Sequence, residues 1–286
     1  MDNFDEHNIT GAVLERFRDT PDPRLKQIVE SVVRHLHDCV REIEPTFEEW
    51  MAAIQFLTRT GQISVGGRQE FILLSDTLGV SMLVDAITHR LPKGATETTV
   101  LGPFFVDRQP VQEQGTDIAR GAPGQPLYVE ARFAAVDGKP LRDAVVDVWQ
   151  SDSEGFYDIQ RSDLDQAQLR ARFHADAEGR LRFWTIMPTA YPIPDDGPVG
   201  DMLKATARHP WRPAHLHFMA AAPGYTTLVT HVFVAGDPYL ESDAVFGVKK
   251  SLIDTYPEQP ATQAPPDGRN MKGPWRRLNY EFRLSH

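Results

Sequence analysis

The apolar residues change their spacing near residue 100, and this change restricts the possible folds more than any other feature of the sequence. Before that point they recur every three or four residues, as at Leu25 and Ile28, which is the period of an α-helix. Beyond it they alternate, as in residues 127–133, which is the period of a half-buried strand. We therefore expect an α+β chain, with a helical segment over residues 1–98 and an antiparallel β-sandwich over residues 99–286.

Local signals predict three helices in the first segment. Asp22 followed by Pro23 is typical of an N-cap and a first helical position. Thr46 and Glu49 have the spacing of a capping box, which predicts the start of a second helix. A third helix is predicted over residues 69–88. Its candidates for burial are Phe71, Leu74, Leu78, Met82, Val84 and Ile87.

Short β-rich runs, separated by glycine and proline, predict the strands of the second segment. These runs are residues 127–133, 145–149, 181–186, 215–220 and 228–234. Two proline-rich stretches, residues 188–198 and 257–274, are predicted to be loops, because proline cannot donate to a strand ladder. Several short strands between turn signals are typical of a sandwich or barrel.

Composition excludes several classes of function. The 286 residues carry a net charge of −10, which argues against a nucleic-acid partner. The single cysteine, Cys39, excludes a disulfide framework and a cysteine-rich metal site, and it fits a reducing compartment. The sequence has neither a secretory signal pattern nor an apolar run of about 20 residues, so we expect a cytoplasmic chain without membrane insertion.

The sharpest local motif is the His-x-His pair His215 and His217, whose side chains share one face of a strand and can converge on a metal ion. The same pattern also suits two solvent-facing histidines. No acidic residue follows His217 before Glu241, so a carboxylate ligand is disfavoured. A third imidazole, His231, leaves open a cupin-like Fe(II) site, and tyrosines offer another oxygen donor.

Several blocks of the sequence resemble the intradiol ring-cleavage dioxygenases. The first block runs from Val136 through Trp149 to the motif Gly155-Phe156-Tyr157. The dipeptide Tyr191-Pro192 and the run from Arg212 to His217 follow in the order and spacing of that family. Leu101-Gly102-Pro103-Phe104-Phe105 and the front helices match as well, so the resemblance covers nearly the whole chain.

The resemblance implies one non-haem Fe(III) per chain, held by Tyr157, Tyr191, His215 and His217. Phenolates are hard anionic donors that suit a highly charged cation. It further implies that a catechol binds as a dianion in place of Tyr191, while Tyr157 stays. Arg212 is then expected to stabilise charge that develops on the ring.

The substrate is expected to be a small aromatic diol or triol, cleaved with O2. Asp76 on the third helix resembles the hydroxyquinol-cleaving members, because its carboxylate can accept a hydrogen bond from the third hydroxyl of benzene-1,2,4-triol. The expected product is 3-hydroxy-cis,cis-muconate, which tautomerises to maleylacetate. The resemblance places at the substrate Leu73, Asp76, Val100, Pro103, Phe104, Pro192, Ile193 and Arg212.

Three alternatives remain open at this point. Asp76 on a polar turn is equally consistent with a solvated residue, which would leave a catechol or chlorocatechol 1,2-dioxygenase. A cupin-like Fe(II) enzyme would use His215, His217 and His231. A non-catalytic β-sandwich binding module would leave the histidines and tyrosines scattered.

The apolar stripe between Leu25 and Ile43 predicts a homodimer, since it is broad enough to cover both the sandwich and a twofold partner. In the family that the chain resembles, such helices form the dimer contact and enclose a phospholipid tail. Cys39 on this stripe is expected to be a small buried hydrophobe.

Overall fold

The computed structural model describes residues 3–66 and 68–286. By its internal contacts the chain forms two compact units, one extending to Arg59 and the other beginning at Thr60. The predicted domain boundary at residues 98/99 was placed at the change from helices to strands, not by contacts, and it stays a prediction. In chain order the helices are α1 Ile9–Arg16, α2 Pro23–Ile43, α3 Phe47–Ile63, α4 Glu70–Thr77, α5 Val80–Thr88 and α6 Pro198–Ala205.

The starts of α2 and α3 confirm the local capping signals. The Asp22 carboxylate accepts hydrogen bonds from the backbone N–H groups of Arg24 and Leu25, at 2.8 and 3.2 Å. At α3, the Thr46 N–H donates to the Glu49 carboxylate at 2.8 Å, and the Glu49 N–H donates to the Thr46 hydroxyl at 3.2 Å. Both helix starts are therefore fixed by residues within three positions of each other.

The prediction of one helix over residues 69–88 is wrong. The chain forms α4 and α5, bent by 78° at a break where Gly79 takes the left-handed conformation, with φ of +73°. Glycine adopts this conformation at no steric cost, so a bend is favoured there. The burial prediction also fails for Phe71, Leu78, Val84 and Ile87, which are exposed, as is Cys39.

No single helix within residues 3–66 and 68–286 is both long and apolar enough to cross a bilayer. The bent pair α4 and α5, taken together, has the length and apolar composition that a membrane-crossing helix would need.

The strands form two main sheets and one small one. In chain order they are β1 Pro126–Ala135, β2 Val145–Trp149, β3 Arg170–His174, β4 Arg180–Ile186, β5 Tyr191–Pro192, β6 Trp211–Arg212, β7 His215–Ala221, β8 Leu228–Val234, β9 Ile253–Asp254, β10 Glu258–Gln259 and β11 Trp275–Leu284. One sheet has the order β10-β11-β1-β4, the second has the order β3-β2-β7-β8-β9, and β5 pairs with β6. All five predicted strands are present. The sequence did not predict α1, α6, β3, β5, β6, β9, β10 or β11. The loop predictions for residues 188–198 and 257–274 are wrong in part, because the first contains β5 and the start of α6, and the second contains β10.

The principal core lies in the β-sandwich. Fully buried aromatic side chains dominate it, and Phe133 stacks on Phe282 with ring centroids 4.9 Å apart. The α+β prediction is confirmed, with one difference in strand direction. The sandwich is not wholly antiparallel, because β1 pairs with β11, and β8 with β9, in parallel.

Candidate metal centre

Strand β7 places the two histidines of the His-x-His motif on one face of the sheet. It is the middle strand of five, bonded to β2 on one side and to β8 on the other. Successive side chains of a strand point to opposite faces. Leu216 and Phe218 therefore belong to the sandwich core, while His215 and His217 meet on the other face with their Nε2 atoms 3.1 Å apart.

A third buried imidazole comes from strand β8. His231 lies directly opposite His217 in the strand register, and the two ring centroids are 4.2 Å apart. One nitrogen from each of His215, His217 and His231 lies within 4.8 Å of the other two. These three side chains can therefore hold a metal ion.

Two buried phenols face the same cluster. The Oη atom of Tyr157 lies 2.8 Å from Nε2 of His217, and it lies 3.2 Å from the Oη of Tyr191. Tyr157 follows a tight turn over residues 152–156, where the Asp152 N–H donates to the Phe156 carbonyl at 2.7 Å. The structure thus brings together the four side chains that the resemblance assigns as ligands.

Tyr191 and Arg212 are neighbours in the small two-stranded sheet of β5 and β6, whose strands are joined by a connection that contains α6. They are direct register partners, and the Nη1 of Arg212 donates to the Oη of Tyr191 at 3.3 Å. This two-stranded sheet is separate from both main sheets, so it places the guanidinium beside the phenol outside the sandwich ladder.

His215 is neutral and aims a lone pair into the cluster. The Nδ1 of His215 lies 2.6 Å from the Pro213 carbonyl oxygen. Since a carbonyl oxygen only accepts, this nitrogen carries the proton and Nε2 is left unprotonated. Burial lowers the pKa of His215 and His217 well below the usual value, and neighbouring charged groups, Arg212 among them, add to the effect.

His231 is neutral for the same reason, but it has no firm partner. Burial lowers its pKa well below the usual value, with His215 and Arg212 adding to the effect and the Val100 backbone opposing it. Neither ring nitrogen forms a well-shaped hydrogen bond within the described residues, and the Nδ1 of His217 is equally unpaired. Orphaned buried nitrogens are costly, and a ligand bound beside His231 would remove that cost for its ring.

The charges of the tyrosines and the arginine are set by their burial and by each other. Burial raises the pKa of Tyr157 well above its usual value, and Tyr191 raises it further. Burial alone would lower the pKa of Arg212, but Asp243 and Tyr191 outweigh it, so the net shift is upward and the guanidinium stays charged. Only a bound cation would make Tyr157 an anion here.

The donor set fits a small, hard cation. Ligands on one ion with bonds of about 2 Å are expected about 3 Å apart. The observed separations, 2.8 Å for Tyr157 Oη to His217 Nε2 and 3.1 Å between the histidine Nε2 atoms, match this spacing. Imidazole ligands suit transition metals, so this donor set fits a transition-metal ion rather than magnesium or calcium.

Aromatic rings fix the orientation of two of these side chains. Trp149 stacks on His217 with ring centroids 4.6 Å apart and planes at 15°. Phe104 stacks on Tyr157 with centroids 4.4 Å apart and planes at 22°. Phe104, expected at the substrate, is thus also a packing partner of the Tyr157 ring.

A cavity of about 600 Å³ opens beside the cluster. Asp76, Val100 and Pro103, all expected at the substrate, line it together with Gly102. Gly102 has φ of +77°, and a Cβ built on it would lie 3.4 Å from the Cε1 of His217, so the cavity wall reaches the imidazole.

Five further residues expected at the substrate are not among those that line the cavity within the described part of the chain, and their assignment stays a prediction. Phe104 and Arg212 contact the tyrosines of the cluster. Leu73 and Ile193 are buried in an apolar cluster with Val245, and the cavity residue Val100 packs against that cluster. Pro192 is exposed.

Asp243 is the residue of the site that the sequence did not reveal. Its carboxylate pairs with Arg212 across 31 positions, and both side chains are almost fully buried. A single aspartate in an irregular loop carries no local signal. Only the fold brings it to the arginine.

Comparison with known proteins identifies the family. Residues 22–96 match the model described as the catechol dioxygenase N terminus, and residues 100–285 match the model described as dioxygenase. The 6-chlorohydroxyquinol 1,2-dioxygenase of Cupriavidus pinatubonensis is 55% identical over 91% of this chain and 94% of its own length. The hydroxyquinol 1,2-dioxygenase of Nocardioides simplex is 49% identical, over 98% of this chain and 95% of its own length.

Solved structures of hydroxyquinol and catechol 1,2-dioxygenases have the same fold as this chain. The crystal structure of hydroxyquinol 1,2-dioxygenase from Pseudomonas putida DLL-E4 matches with a TM-score of 0.93 at 51% identity, covering 98% of both chains. Catechol 1,2-dioxygenase from Pseudomonas arvilla C-1 matches with a TM-score of 0.83 at 29% identity, over 98% of this chain and 93% of its own. The chain belongs to the intradiol ring-cleavage dioxygenase family, as the sequence blocks predict. It is therefore an enzyme of aromatic ring cleavage rather than a binding module.

Proposed function

We propose that this chain cleaves hydroxyquinol between its two ortho hydroxyls with O2, giving 3-hydroxy-cis,cis-muconate, which tautomerises to maleylacetate. One observation carries the choice of substrate: Asp76 is a buried carboxylate on the wall of the cavity beside the metal cluster. The relatives at 49–55% identity support it, because hydroxyquinol appears in their names, whereas a catechol-named relative is 41% identical.

We further propose one Fe(III) per chain, bound by Tyr157, Tyr191, His215 and His217. Two phenolates would cancel two of the three positive charges of the ion, which favours a buried site. When bound, the ion would act as a Lewis acid that favours loss of the protons from the catechol hydroxyls, and the resulting catecholate would be more electron-rich toward O2 than the neutral catechol. The alternative set of three histidines would leave two buried phenols beside the ion with no role.

The residues around the proposed iron have separable tasks. Tyr191 accepts a substrate proton at its Oη, and its position on the short strand β5, outside both main sheets, lets it move away without disturbing the sandwich. Arg212 stays charged and presents Nη1 to the same oxygen at 3.3 Å, so it stabilises negative charge that develops there. Leu73, Ile193 and Val245 form a buried apolar cluster whose partner Val100 lines the cavity, and they limit the access of water.

Asp76 discriminates between triol and diol in this proposal. Burial raises the pKa of its carboxyl, while Ser81 and Arg212 lower it and Asp243 raises it, so the group lies within the field of the Arg212 pair. A third hydroxyl that donates to this carboxylate satisfies a buried acceptor. Plain catechol would leave Asp76 with the Ser81 hydrogen bond but without this second donor, at a cost of about 1–3 kcal/mol.

Oxygen uptake with three substrates tests the proposal. Purified protein loaded with iron is assayed with hydroxyquinol, catechol and 4-chlorocatechol. We expect kcat/KM for hydroxyquinol to exceed that for catechol by about 10-fold or more. A higher kcat/KM for catechol would overturn the substrate assignment while leaving the family assignment intact.

Visible absorption and iron content test the ligand set. Tyrosinate ligation predicts a red-brown protein, and Tyr157→Phe should remove most of the colour. The matched control is Tyr256→Phe, because Tyr256 is also a buried tyrosine, and its hydroxyl donates to the Val232 carbonyl at 3.0 Å. A colourless protein at full iron loading would contradict tyrosinate ligation and favour the three histidines.

We also propose a homodimer formed through α2, with a phospholipid held at that face. The support is a row of exposed apolar side chains at helical spacing, namely Leu25, Ile28, Val32, Leu36, Val40 and Ile43. An exposed apolar stripe of this length is typical of an interaction surface.

Light scattering and native mass spectrometry test the dimer. Leu36→Glu should give monomers, whereas Gln27→Glu should not, because Gln27 lies off the stripe and bonds to Arg24. A dimer that survives Leu36→Glu would reject this interface. Lipid is sought by solvent extraction of the purified protein.

Two predictions about organisation are kept as proposals. We place the functional boundary at residues 98/99, between the regions matched by the two family models. We place the enzyme in the cytoplasm, where the exposed Cys39 would stay reduced.

A further inference from the structure

The guanidinium of Arg212 has two edges with different partners. Its Nε donates to Oδ1 of Asp243 at 3.1 Å, and its Nη2 donates to Oδ2 at 3.4 Å. The remaining nitrogen, Nη1, donates to the Oη of Tyr191 at 3.3 Å. One edge is thus held by a carboxylate, while the other faces the candidate metal centre.

The carboxylate of Asp243 is itself held by its own loop. Its Oδ1 accepts a hydrogen bond from the backbone N–H of Val245 at 3.3 Å, and its Oδ2 accepts one from the N–H of Gly247 at 2.9 Å. Both oxygens therefore have a backbone donor in addition to the guanidinium. A carboxylate with this many donors has one favoured orientation, and it transmits that orientation to Arg212.

Gly247 allows the loop to approach the arginine. A Cβ at this position would lie 3.0 Å from Nη2 of Arg212 and 3.0 Å from Oγ1 of Thr99, closer than most Cβ contacts. The Gly247 carbonyl also accepts a hydrogen bond from Oγ1 of Thr99 at 3.1 Å. The close approach places the backbone of the loop, residues 243–247, directly behind the guanidinium.

The same loop reaches the apolar wall near the substrate. Val245 is buried in the cluster that contains Leu73 and Ile193, against which the cavity residue Val100 packs. The loop therefore holds Arg212 on one side and contributes to the cavity surroundings on the other.

We propose that Asp243 is a positioning residue for ring cleavage, which fixes Arg212 so that Nη1 faces Tyr191 and the bound ring. This inference rests on the proposed function for the reaction, but the placement of the guanidinium is independent of it. A charged group displaced by about 1 Å at a reaction centre can lower the rate about 100-fold. Asp243 is neither a member of the histidine cluster nor a residue of the cavity wall, so it acts through Arg212.

Asp243→Asn is the first test, with Asp147→Asn as the matched control. Asp147 is another buried aspartate with a two-point ion pair, to the Nε and Nη2 of Arg172, both at 2.7 Å, on strands β2 and β3. For Asp243→Asn we expect kcat to fall about 100-fold with KM changed much less, and the visible tyrosinate band to shift. For Asp147→Asn we expect a lower Tm with kcat and the band unchanged.

Conservative rescue separates positioning from a general loss of structure. Asp243→Glu retains the charge but moves the carboxylate by one methylene, so it should recover Tm more fully than kcat. Parallel loss of kcat in Asp243→Asn and Asp147→Asn would overturn the proposal. So would an unchanged kcat and band in Asp243→Asn.

Guanidinium binding is a second test that needs no turnover. Arg212→Ala leaves a space beside Asp243, and guanidinium at millimolar concentration, matched against sodium chloride, should raise its Tm and restore part of its activity. The double variant Arg212→Ala/Asp243→Asn removes both charges, so it leaves no unpaired buried ion to destabilise the fold. Guanidinium should neither raise its Tm nor restore its activity.

The two tests separate failure of the inference from failure of the proposed function. Equal guanidinium effects on the Tm of the single and double variants would reject Asp243 as the group that holds the guanidinium. The opposite result is also informative. If the wild-type protein does not cleave hydroxyquinol, but guanidinium raises the Tm of Arg212→Ala only when Asp243 is present, the proposed substrate is wrong and the positioning role of Asp243 stands.

Discussion

At the scale of single residues, Asp76 has the environment of a specificity group. It is only 5% exposed, and burial is the main reason that its pKa is raised. The Ser81 hydroxyl already hydrogen-bonds to this carboxylate and opposes the rise, but a carboxylate has acceptor sites for further donors. The second acidic residue on the cavity wall, Asp85, bonds to Thr98 and forms an ion pair with Lys249. The charge of Asp85 is therefore balanced by a neighbouring cation in direct contact, whereas Asp76 is held by a neutral hydroxyl.

Substitution of Asp76 should change selectivity rather than destroy the enzyme. For Asp76→Ala we expect kcat/KM for hydroxyquinol to fall by about 10- to 100-fold, which corresponds to about 1–3 kcal/mol, with that for catechol unchanged or higher. Oxygen uptake with both substrates measures this. Asp85→Asn is the control and should lower both values alike, if at all. An equal loss with both substrates in Asp76→Ala would remove Asp76 from substrate selection.

At the scale of elements, the turn over residues 152–156 is built to receive Tyr191. Gly155 has φ of +89°, and a Cβ built on it would lie 2.9 Å from the Cβ of Tyr191. Any side chain would therefore push against the residue that is proposed to leave the metal. Gly138 offers a natural comparison, since its φ is also +89° but nothing lies within 4 Å of its Cβ position.

Gly155→Ala and Gly138→Ala should share one effect and differ in another. Both place alanine in the left-handed region, which costs about 1–2 kcal/mol of the free energy of unfolding in urea titrations. Only Gly155→Ala should also change kcat and the visible tyrosinate band, because only it displaces Tyr191. If Gly138→Ala altered the band as much, the contact with Tyr191 would not be the cause.

The helix ends and the strands show which parts of the fold are readable from sequence. The caps at Asp22 and Thr46 were predicted because donor and acceptor lie within three residues of each other. The bend at Gly79 was missed because a single glycine inside a helical pattern is usually tolerated. The exposure of Phe71 was missed because periodicity defines an apolar face without saying what covers it.

The candidate site divides in the same way. The His-x-His pair follows from the strand period, so the convergence of His215 and His217 is a local property. Asp243 and Arg212 meet only through the fold, and so do the phenols of Tyr157, which follows a turn, and Tyr191, which lies on the short strand β5. The resemblance to a family, rather than any spacing, brought those tyrosines into the predicted site.

At the scale of the whole molecule, the buried histidines link stability to pH. The pKa values of His215, His217 and His231 are lowered well below 6.5, chiefly by burial. Below about pH 6.5 the unfolded chain binds a proton at each histidine while the fold does not, so stability is present above that pH and is lost as pH falls. Below that pH, each such histidine lowers the free energy of unfolding by up to about 1.4 kcal/mol for each unit that the pH falls.

Thermal melts of chelator-treated protein between about pH 7.5 and pH 5.5 test this linkage. We expect Tm to drop steeply in that range and the drop to be shallower in His231→Gln, which removes one of the three groups. His174→Gln, at an exposed position on β3, should keep the wild-type slope. If the fall of Tm with pH were the same in His231→Gln as in the wild type, the sensitivity to acid would come from other groups.

The central position of β7 sets an expectation for hydrogen exchange around the candidate metal centre. Its amide groups are bonded to strands on both sides, so we expect those of His215 and His217 to exchange among the slowest in the chain. Tyr191 lies instead in the two-pair ladder of β5 and β6, whose amides we expect to exchange through much smaller openings. Tyr191, the residue proposed to leave the metal, could therefore move many times between two openings of the sheet that carries the imidazoles.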